Sequence, residues 1–97
     1  MNLPVILSPA AEQEFDTAAD WHERESRLGA KFVAAIQATL DQIEHMSELH
    51  AVIEKQVRRS RVAVFPYNIY YCILPDRIEV IAIVHARRDP ALWKSRT

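Results

Sequence analysis

The side chains that are candidates for binding or chemistry in this 97-residue sequence lie within residues 57–97, and most of them are arginines. Two arginine groups flank a stretch rich in β-branched and aromatic residues: Arg58, Arg59 and Arg61 precede it, and Arg87 and Arg88 follow it. Arginine keeps its proton in proteins and holds phosphate or carboxylate through several N–H donors. These residues can therefore bind an anionic macromolecule, but they cannot act as a general base.

His85 is the candidate for proton transfer in this region, because the intrinsic pKa of histidine suits a general base and Arg87 is close by. A histidine at the end of a strand is more often structural or exposed than catalytic. The other histidines lack the spacing of metal ligands, and Cys72 is the only cysteine. We therefore expect no metal, no cofactor and no intramolecular disulfide.

Length and composition indicate a single folded domain spanning residues 1–97, with 49% hydrophobic and 26% charged residues. No run approaches the roughly 20 apolar residues of a membrane span, and the N-terminus lacks a basic leader, so a cytoplasmic protein is expected. Residues 1–56 hold four Lys/Arg against ten Asp/Glu (−6), whereas residues 57–97 hold eight against three (+5). This asymmetry predicts two surfaces with different partners, unless the two halves neutralise each other internally.

Three strands are predicted for the last third, over residues 57–65, 68–74 and 78–85, because β-branched and aromatic runs are separated there by Pro66 and Pro75. Connections this short require antiparallel neighbours and hence a meander. The third strand is apolar at nearly every position, which is typical of a strand buried on both faces. Asp89-Pro90 predicts a short helical turn that folds Leu92 and Trp93 back onto the sheet.

The first half predicts a short strand, Val5–Leu7, and two helices. Ser8 and Pro9 are typical of a helix start. The polar run 22–27 ends this helix, with Gly29 at the joint, and residues 46–56 are predicted as a loop. The residues expected to face the core recur at helical spacing: Ala11, Phe15, Ala18, Ala19 and His22 with Trp21 beside them, then Leu28, Phe32, Ile36, Leu40 and Ile43.

These elements predict an α+β fold of order β-α-α-β-β-β. An N-terminal strand and a helical hairpin pack on a three-stranded antiparallel meander, and a short helical turn follows it.

Five segments carry a resemblance to a known family: SPAAEQEFDTAADWHE, LGAKF, VRR, FPYNIYY and HARRDPALW. Together they resemble the RelE/ParE family of toxins from bacterial type II toxin–antitoxin modules, and the last is similar to the ParE-type plasmid-stabilisation branch. The resemblance implies this α+β fold and a small, ParD-like antitoxin whose C-terminal segment wraps around the toxin. Family members either cleave mRNA on the ribosome or poison DNA gyrase.

The resemblance also indicates which activity to expect. Ribonuclease members place two lysines where this chain has Arg59 and Arg61, an arginine at Asn68, another at Arg87 and a tyrosine at Trp93. RNA cleavage needs a base for the 2′-hydroxyl and an acid for the leaving oxygen. Four of these five positions differ from the ribonuclease members, namely Arg59, Arg61, Asn68 and Trp93. Neither arginine nor tryptophan supplies the base or the acid, so three of the four differences oppose cleavage.

The resemblance therefore favours a gyrase poison that blocks replication without catalysis and is neutralised by its antitoxin. One alternative is a ribosome-dependent mRNA endoribonuclease that uses His85 with Arg59, Arg61 and Arg87. A second alternative is a degenerate member that binds its antitoxin without being toxic.

The residues expected to contact target or antitoxin are Arg58, Arg59, Arg61, Arg87, Arg88 and Trp93. The three arginines of the first group could instead protect a solvated edge strand, and Trp93 could be a packing anchor. We expect hetero-oligomers with the antitoxin, in which the antitoxin and not this chain makes the sequence-specific DNA contacts, and no membrane partner.

Overall fold

A computed structural model describes residues 2–88 and 90–96, except for the side chains of residues 90–92. The elements are β1 (Val5–Leu7), α1 (Pro9–Ser26), α2 (Gly29–His45), a 3₁₀ turn (Ser47–Leu49), β2 (Val52–Glu54), β3 (Val57–Arg61), β4 (Tyr67–Ile73), β5 (Ile78–His85) and a C-terminal 3₁₀ segment (Pro90–Arg96). The strands form one sheet in the order β1-β5-β4-β3-β2. β1 runs parallel to β5, and the other neighbours are antiparallel. The predicted α+β class and the meander are confirmed.

The start of α1 follows from its first residues. The Ser8 hydroxyl accepts a hydrogen bond from the Ala11 amide at 3.1 Å, and Pro9 occupies the first turn, where a missing N–H costs nothing. The helix ends at Ser26, and Arg27 closes it in the left-handed conformation with a φ of 61°. Gly29 begins α2, so the predicted joint between the helices is confirmed.

The helical hairpin buries its apolar stripe against one face of the sheet. Ala11 and Phe32 are fully buried there with Ile36 and Ile43, and Phe15 packs against them while partly exposed. Two members of the predicted stripe are wrong: Trp21 is 50% exposed and Leu28 is 37% exposed. Trp21 lies one position outside the periodic face, and Leu28 precedes the first turn of α2.

The C-terminal segment covers part of the opposite face of the sheet. Trp93 is buried against Tyr70, Ile81, Ala82 and Val84, so β5 has apolar neighbours on both faces as predicted. The register between β4 and β5 shifts at Tyr70/Tyr71, which places Ile81 and Ala82 on the same face. The predicted burial of Leu92 and the cap at Asp89 lie outside the described residues and side chains.

The predicted loop over residues 46–56 is wrong in its second half. Val52–Glu54 forms an edge strand on β3, with an irregular register that pairs Val52 with Arg58 and Glu54 with Val57. Three residues are too few to display the alternation that marks a strand. The first meander strand is shorter than predicted, because β3 ends at Arg61 and the chain turns over residues 62–66.

Candidate functional site

Arg59 and Arg61 lie on the sheet face opposite the helices. Their neighbours on β4 are Tyr70 and Asn68, and Tyr70 belongs to the cluster around Trp93. Because side chains two residues apart share one face of a strand, both guanidinium groups point to this side, and both residues are exposed. We therefore place them on an open, positively charged strip.

Arg58 points to the other face and is tied to the backbone. Its Nη1 donates to the carbonyl oxygens of His50 at 2.7 Å and Glu48 at 3.2 Å. The same segment is held by Tyr71, whose hydroxyl donates to the Ser47 carbonyl at 2.6 Å. Burial raises the pKa of Tyr71 to about 12, although the charge of Arg58 opposes this shift. Arg58 thus fixes the connection before β2, apart from any role in binding.

The β3–β4 connection ends in a tight apex. The Val62 amide donates to the Tyr67 carbonyl at 3.0 Å, and within this hairpin the Phe65 amide donates to the Ala63 carbonyl at 2.9 Å. The residue between them, Val64, has a φ of 75° and is 95% exposed. A bond between residues i and i+2 around a positive φ defines the strained form of the γ-turn.

The turn after β5 lies beside this apex, because the Ala86 amide donates to the Pro66 carbonyl at 2.7 Å. Arg87 and Arg88 in this turn are exposed. Among residues 2–88 and 90–96, neither they nor Arg59 and Arg61 have an ion-pair partner. A pairing of Arg87 or Arg88 with Asp89 would lie outside the described residues. The apex therefore has the exposed Arg61 three residues before it and the exposed Arg87 and Arg88 in the neighbouring turn.

His85 is engaged by its neighbours. Its Nδ1 accepts the Arg87 backbone N–H at 3.1 Å, and its ring packs at 5.2 Å from the ring of Tyr67. An accepting Nδ1 means that a neutral ring carries its proton on Nε2. The lone pair that a general base needs is therefore occupied by a backbone amide.

A second histidine, His22, was predicted on the core stripe and is buried in the hairpin interface. Its Nε2 lies 3.3 Å from the Tyr67 hydroxyl, and its ring stacks on Phe32 with a centroid distance of 4.6 Å. Burial lowers the pKa of His22, and the nearby His85 lowers it further. Burial also raises the pKa of Tyr67, against the charge of Arg88. This cluster links α1 to the end of the sheet that carries Arg87 and Arg88.

Trp93 is 4% exposed and stacks on Tyr70 with a centroid distance of 5.3 Å, which makes it a packing anchor of the C-terminal segment. Its buried indole N–H has no hydrogen-bond partner among the residues that the structure describes. The described residues contain no group of three or more His, Cys, Asp or Glu that could hold a metal ion. None of the described helices is both long and apolar enough to cross a membrane.

A groove of about 390 Å³ lies on the opposite side, where β1 meets the two helices. Val5, Leu7 and Phe15 form part of its apolar wall, and Asp41 and Glu44 of α2 contribute carboxylates. The other lining residues are Pro4, Gln37 and Leu40. The molecule thus has exposed arginines on the sheet side and a groove lined in part by carboxylates on the side of β1 and the helices.

Known proteins resemble this chain both in sequence and in fold. The family model of the ParE toxin of the type II toxin–antitoxin system, parDE, matches residues 5–90. Among solved structures, a chain of the chromosomal ParDE TA system from P. aeruginosa superposes with a TM-score of 0.78 at 13% identity, covering 88% of this chain and 97% of that chain. At this identity the likeness shows a shared fold. A search of curated proteins finds no match.

Proposed function

Because this chain belongs to the ParE toxin family of type II toxin–antitoxin systems, we propose that it is a toxin that binds DNA gyrase, blocks replication and is neutralised by a cognate antitoxin. The proposed action is binding, in which the toxin holds gyrase on its cleaved DNA. No proton transfer by the toxin is part of this action.

The observation that carries the proposal is a set of exposed arginines that have no ion-pair partner among the described residues, and within that part of the chain no group beside them is placed to move protons. Guanidinium groups such as those of Arg59 and Arg61 suit a binding role and not that of a general base. Trp93, where the ribonuclease members have a tyrosine, is buried under the sheet face. The Nδ1 atom of His85 is occupied by the Arg87 amide. These features support binding of an anionic partner over RNA cleavage.

The proposed antitoxin site is the groove between β1 and the helical hairpin. A disordered segment with apolar and basic residues would fold on this groove, its apolar side on Val5, Leu7 and Phe15 and its basic side near Asp41 and Glu44. Toxin and antitoxin then form hetero-oligomers, in which the antitoxin supplies the sequence-specific DNA contacts. This placement leaves the arginines accessible from the other side.

Purified chain added to gyrase tests the proposed activity through supercoiling and DNA cleavage. We expect loss of supercoiling and accumulation of cleaved DNA, both weakened in Arg59→Ala/Arg61→Ala. Arg77→Ala is the matched control, because Arg77 lies in the β4–β5 turn and pairs with Asp76 and Glu79. Unchanged supercoiling at micromolar wild-type protein contradicts the proposal.

Induced cells give a second readout of the target. A gyrase poison produces filamentous cells with a DNA-damage response, whereas a ribosome-dependent nuclease stops translation at once. Codon-spaced cuts in translated mRNA, detected by primer extension and lost in His85→Ala, would replace the gyrase proposal with the endoribonuclease.

Co-expression with the small neighbouring open reading frame tests the antitoxin site. We expect rescue of growth and co-purification, and weaker rescue of Asp41→Lys and Glu44→Lys, because the reversed charge repels a basic segment. Asp20→Lys on α1 is the control, since this exposed carboxylate does not line the groove. Equal rescue of all three variants would contradict this placement of the antitoxin.

A further inference from the structure

The apex of the β3–β4 connection carries a residue that its backbone does not favour. Val64 has a φ of 75°, a region that β-branched residues rarely adopt because the branched side chain crowds the backbone. Glycine or asparagine adopts it at lower cost. The valine therefore holds strain in the folded protein, and such strain is concentrated at functional positions.

The packing of the folded chain accounts for the tight turn, but it does not account for a valine at position 64. The turn directs the next residue, Phe65, into the core, where its ring lies 5.1 Å from His22 and 5.3 Å from Phe32. Val64 points the other way and is 95% exposed, so its side chain gains no packing within this chain. An apolar side chain that costs strain and contributes no burial suggests a use outside the monomer.

The surroundings of Val64 indicate the chemistry of the partner. Arg61 lies three residues before it, and the hydrogen bond from the Ala86 amide to Pro66 places the Arg87–Arg88 turn alongside. An aliphatic apex is thus bordered by cations that have no ion-pair partner in the described part of the chain.

The aromatic residues close to this surface do not suit nucleic-acid binding. Tyr67 and Tyr70 are 8% and 2% exposed, and Trp93 is buried against Tyr70. Single strands are held by bases stacked on exposed aromatic rings, and this surface offers none. An aliphatic contact surrounded by positive charge instead matches a protein surface with an apolar pocket and carboxylates around it.

We propose that Val64 is the apolar contact through which this chain docks on an acidic protein surface, with Arg61, Arg87 and Arg88 pairing with carboxylates around the pocket. The inference rests on the proposed function, because the acidic protein is the toxin's target. It adds a specific contact residue, and it predicts that binding and stability respond in opposite ways to substitution at position 64.

The test compares Val64→Gly, Val64→Asn and Val64→Leu with the wild type. Gly and Asn relieve the strain, so their thermal midpoints should equal or exceed that of the wild type. Removing the apolar contact should raise the inducer concentration for half-maximal growth arrest about tenfold, as expected for losing one buried valine side chain. Leu keeps an apolar group and should retain potency. Antitoxin binding, measured by titration calorimetry, should be unchanged in all three.

Growth arrest by Val64→Gly or Val64→Asn at wild-type potency would overturn the inference, as would lower thermal midpoints, which indicate a structural role. A mobility shift of duplex or single-stranded DNA by the wild type that is lost in Val64→Gly would overturn the acidic-protein partner. The gyrase assay on the wild type is independent of these arms. If it shows no inhibition while growth still stops, the gyrase proposal fails and the Val64 comparison stands on growth arrest. A wild type that neither arrests growth nor inhibits gyrase contradicts both.

Discussion

Glu14 on α1 and Arg96 near the C-terminus form a two-point ion pair, with distances of 2.9 Å from Nη1 to Oε1 and 3.1 Å from Nη2 to Oε2. Glu14 Oε1 also accepts the Ile83 backbone N–H at 3.1 Å, and Arg96 Nη1 donates to the Ile81 carbonyl at 3.0 Å. β1 pairs with β5 only as far as Val80, so the side chains of Glu14 and Arg96 provide hydrogen-bond partners for backbone groups of β5 beyond that point.

We expect Glu14→Ala to lower the free energy of unfolding by about 2–3 kcal/mol, because it removes charge-assisted bonds from partly buried groups and leaves Arg96 unpaired. Chemical denaturation measures the change, and Glu12→Ala on an exposed part of the same helix is the control. In a double-mutant cycle, Arg96→Met should cost clearly less in the Glu14→Ala background. Strict additivity of the two substitutions would contradict a direct interaction.

Substitutions of the adjacent residues Arg58 and Arg59 should have different effects, the first on stability and the second on binding. Arg58→Ala removes two bonds to backbone carbonyls and should cost about 1–2 kcal/mol of unfolding free energy. Arg59→Ala should leave stability within about 0.5 kcal/mol, as for most surface substitutions, and should weaken inhibition of the target. Denaturant titrations and the supercoiling assay on both proteins check the pair. A stable Arg58→Ala protein would show that its carbonyl contacts are dispensable.

His22 should make stability depend on pH in the mildly acidic range. Its pKa in the folded protein lies below the unfolded value of about 6.5, chiefly because it is buried, with His85 adding to the shift. As pH falls from about 6.5 toward the lowered pKa, the unfolded chain binds a proton that the folded chain refuses, so the unfolding free energy decreases. Above about 6.5 this contribution is constant.

Denaturation curves between pH 7 and 5 test this sign. His22→Gln should be less stable at neutral pH, because it loses the stacking on Phe32, but its stability should fall less steeply with acidification. His45→Gln is the control, since His45 is exposed at the end of α2. A wild-type and a His22→Gln slope that coincide would refute the assignment.

Gly29→Ala should destabilise the protein, contrary to the usual effect of replacing glycine within a helix. A Cβ at this position would meet the Glu23 Cβ at 2.8 Å and the Ala19 carbonyl oxygen at 3.2 Å. These atoms belong to or adjoin the α1 backbone and cannot move freely, so overpacking should outweigh the gain in helix propensity and cost about 1–3 kcal/mol. A raised thermal midpoint would show that the hairpin can open at this joint.

The fold was predictable where local signals were strong. Ser8 with Pro9 marked the start of α1, and the apolar run 78–85 marked β5 with the bounds that the structure has. β2 was missed, because three residues carry no period and the turn at Lys55 adopts a positive φ without a glycine. The sequence wrongly predicts that Trp21 is buried, because a large apolar residue next to the periodic apolar face of a helix is easily assigned to that face.

The candidate site was predictable in composition but not in arrangement. The sequence identified Arg59, Arg61 and the Arg87–Arg88 pair, whose exposure the structure describes. Arg58 donates hydrogen bonds to backbone carbonyl oxygens eight and ten residues before it, and no local sequence pattern encodes these contacts. Val64 was overlooked, because a β-branched residue at the end of an apolar run is typical of a strand, and valine gives no local signal for a positive φ.

The parallel pairing of β1 with β5 has a consequence for how the protein is made. The first strand finds its neighbour only after residues 78–85 have left the ribosome, and β4 waits for the same partner. The helical hairpin is synthesised before most of the sheet that covers its apolar side. A nascent chain interrupted before β5 therefore lacks the strand that joins β1 to β4, and we expect such a truncated translation product to be a target for proteases.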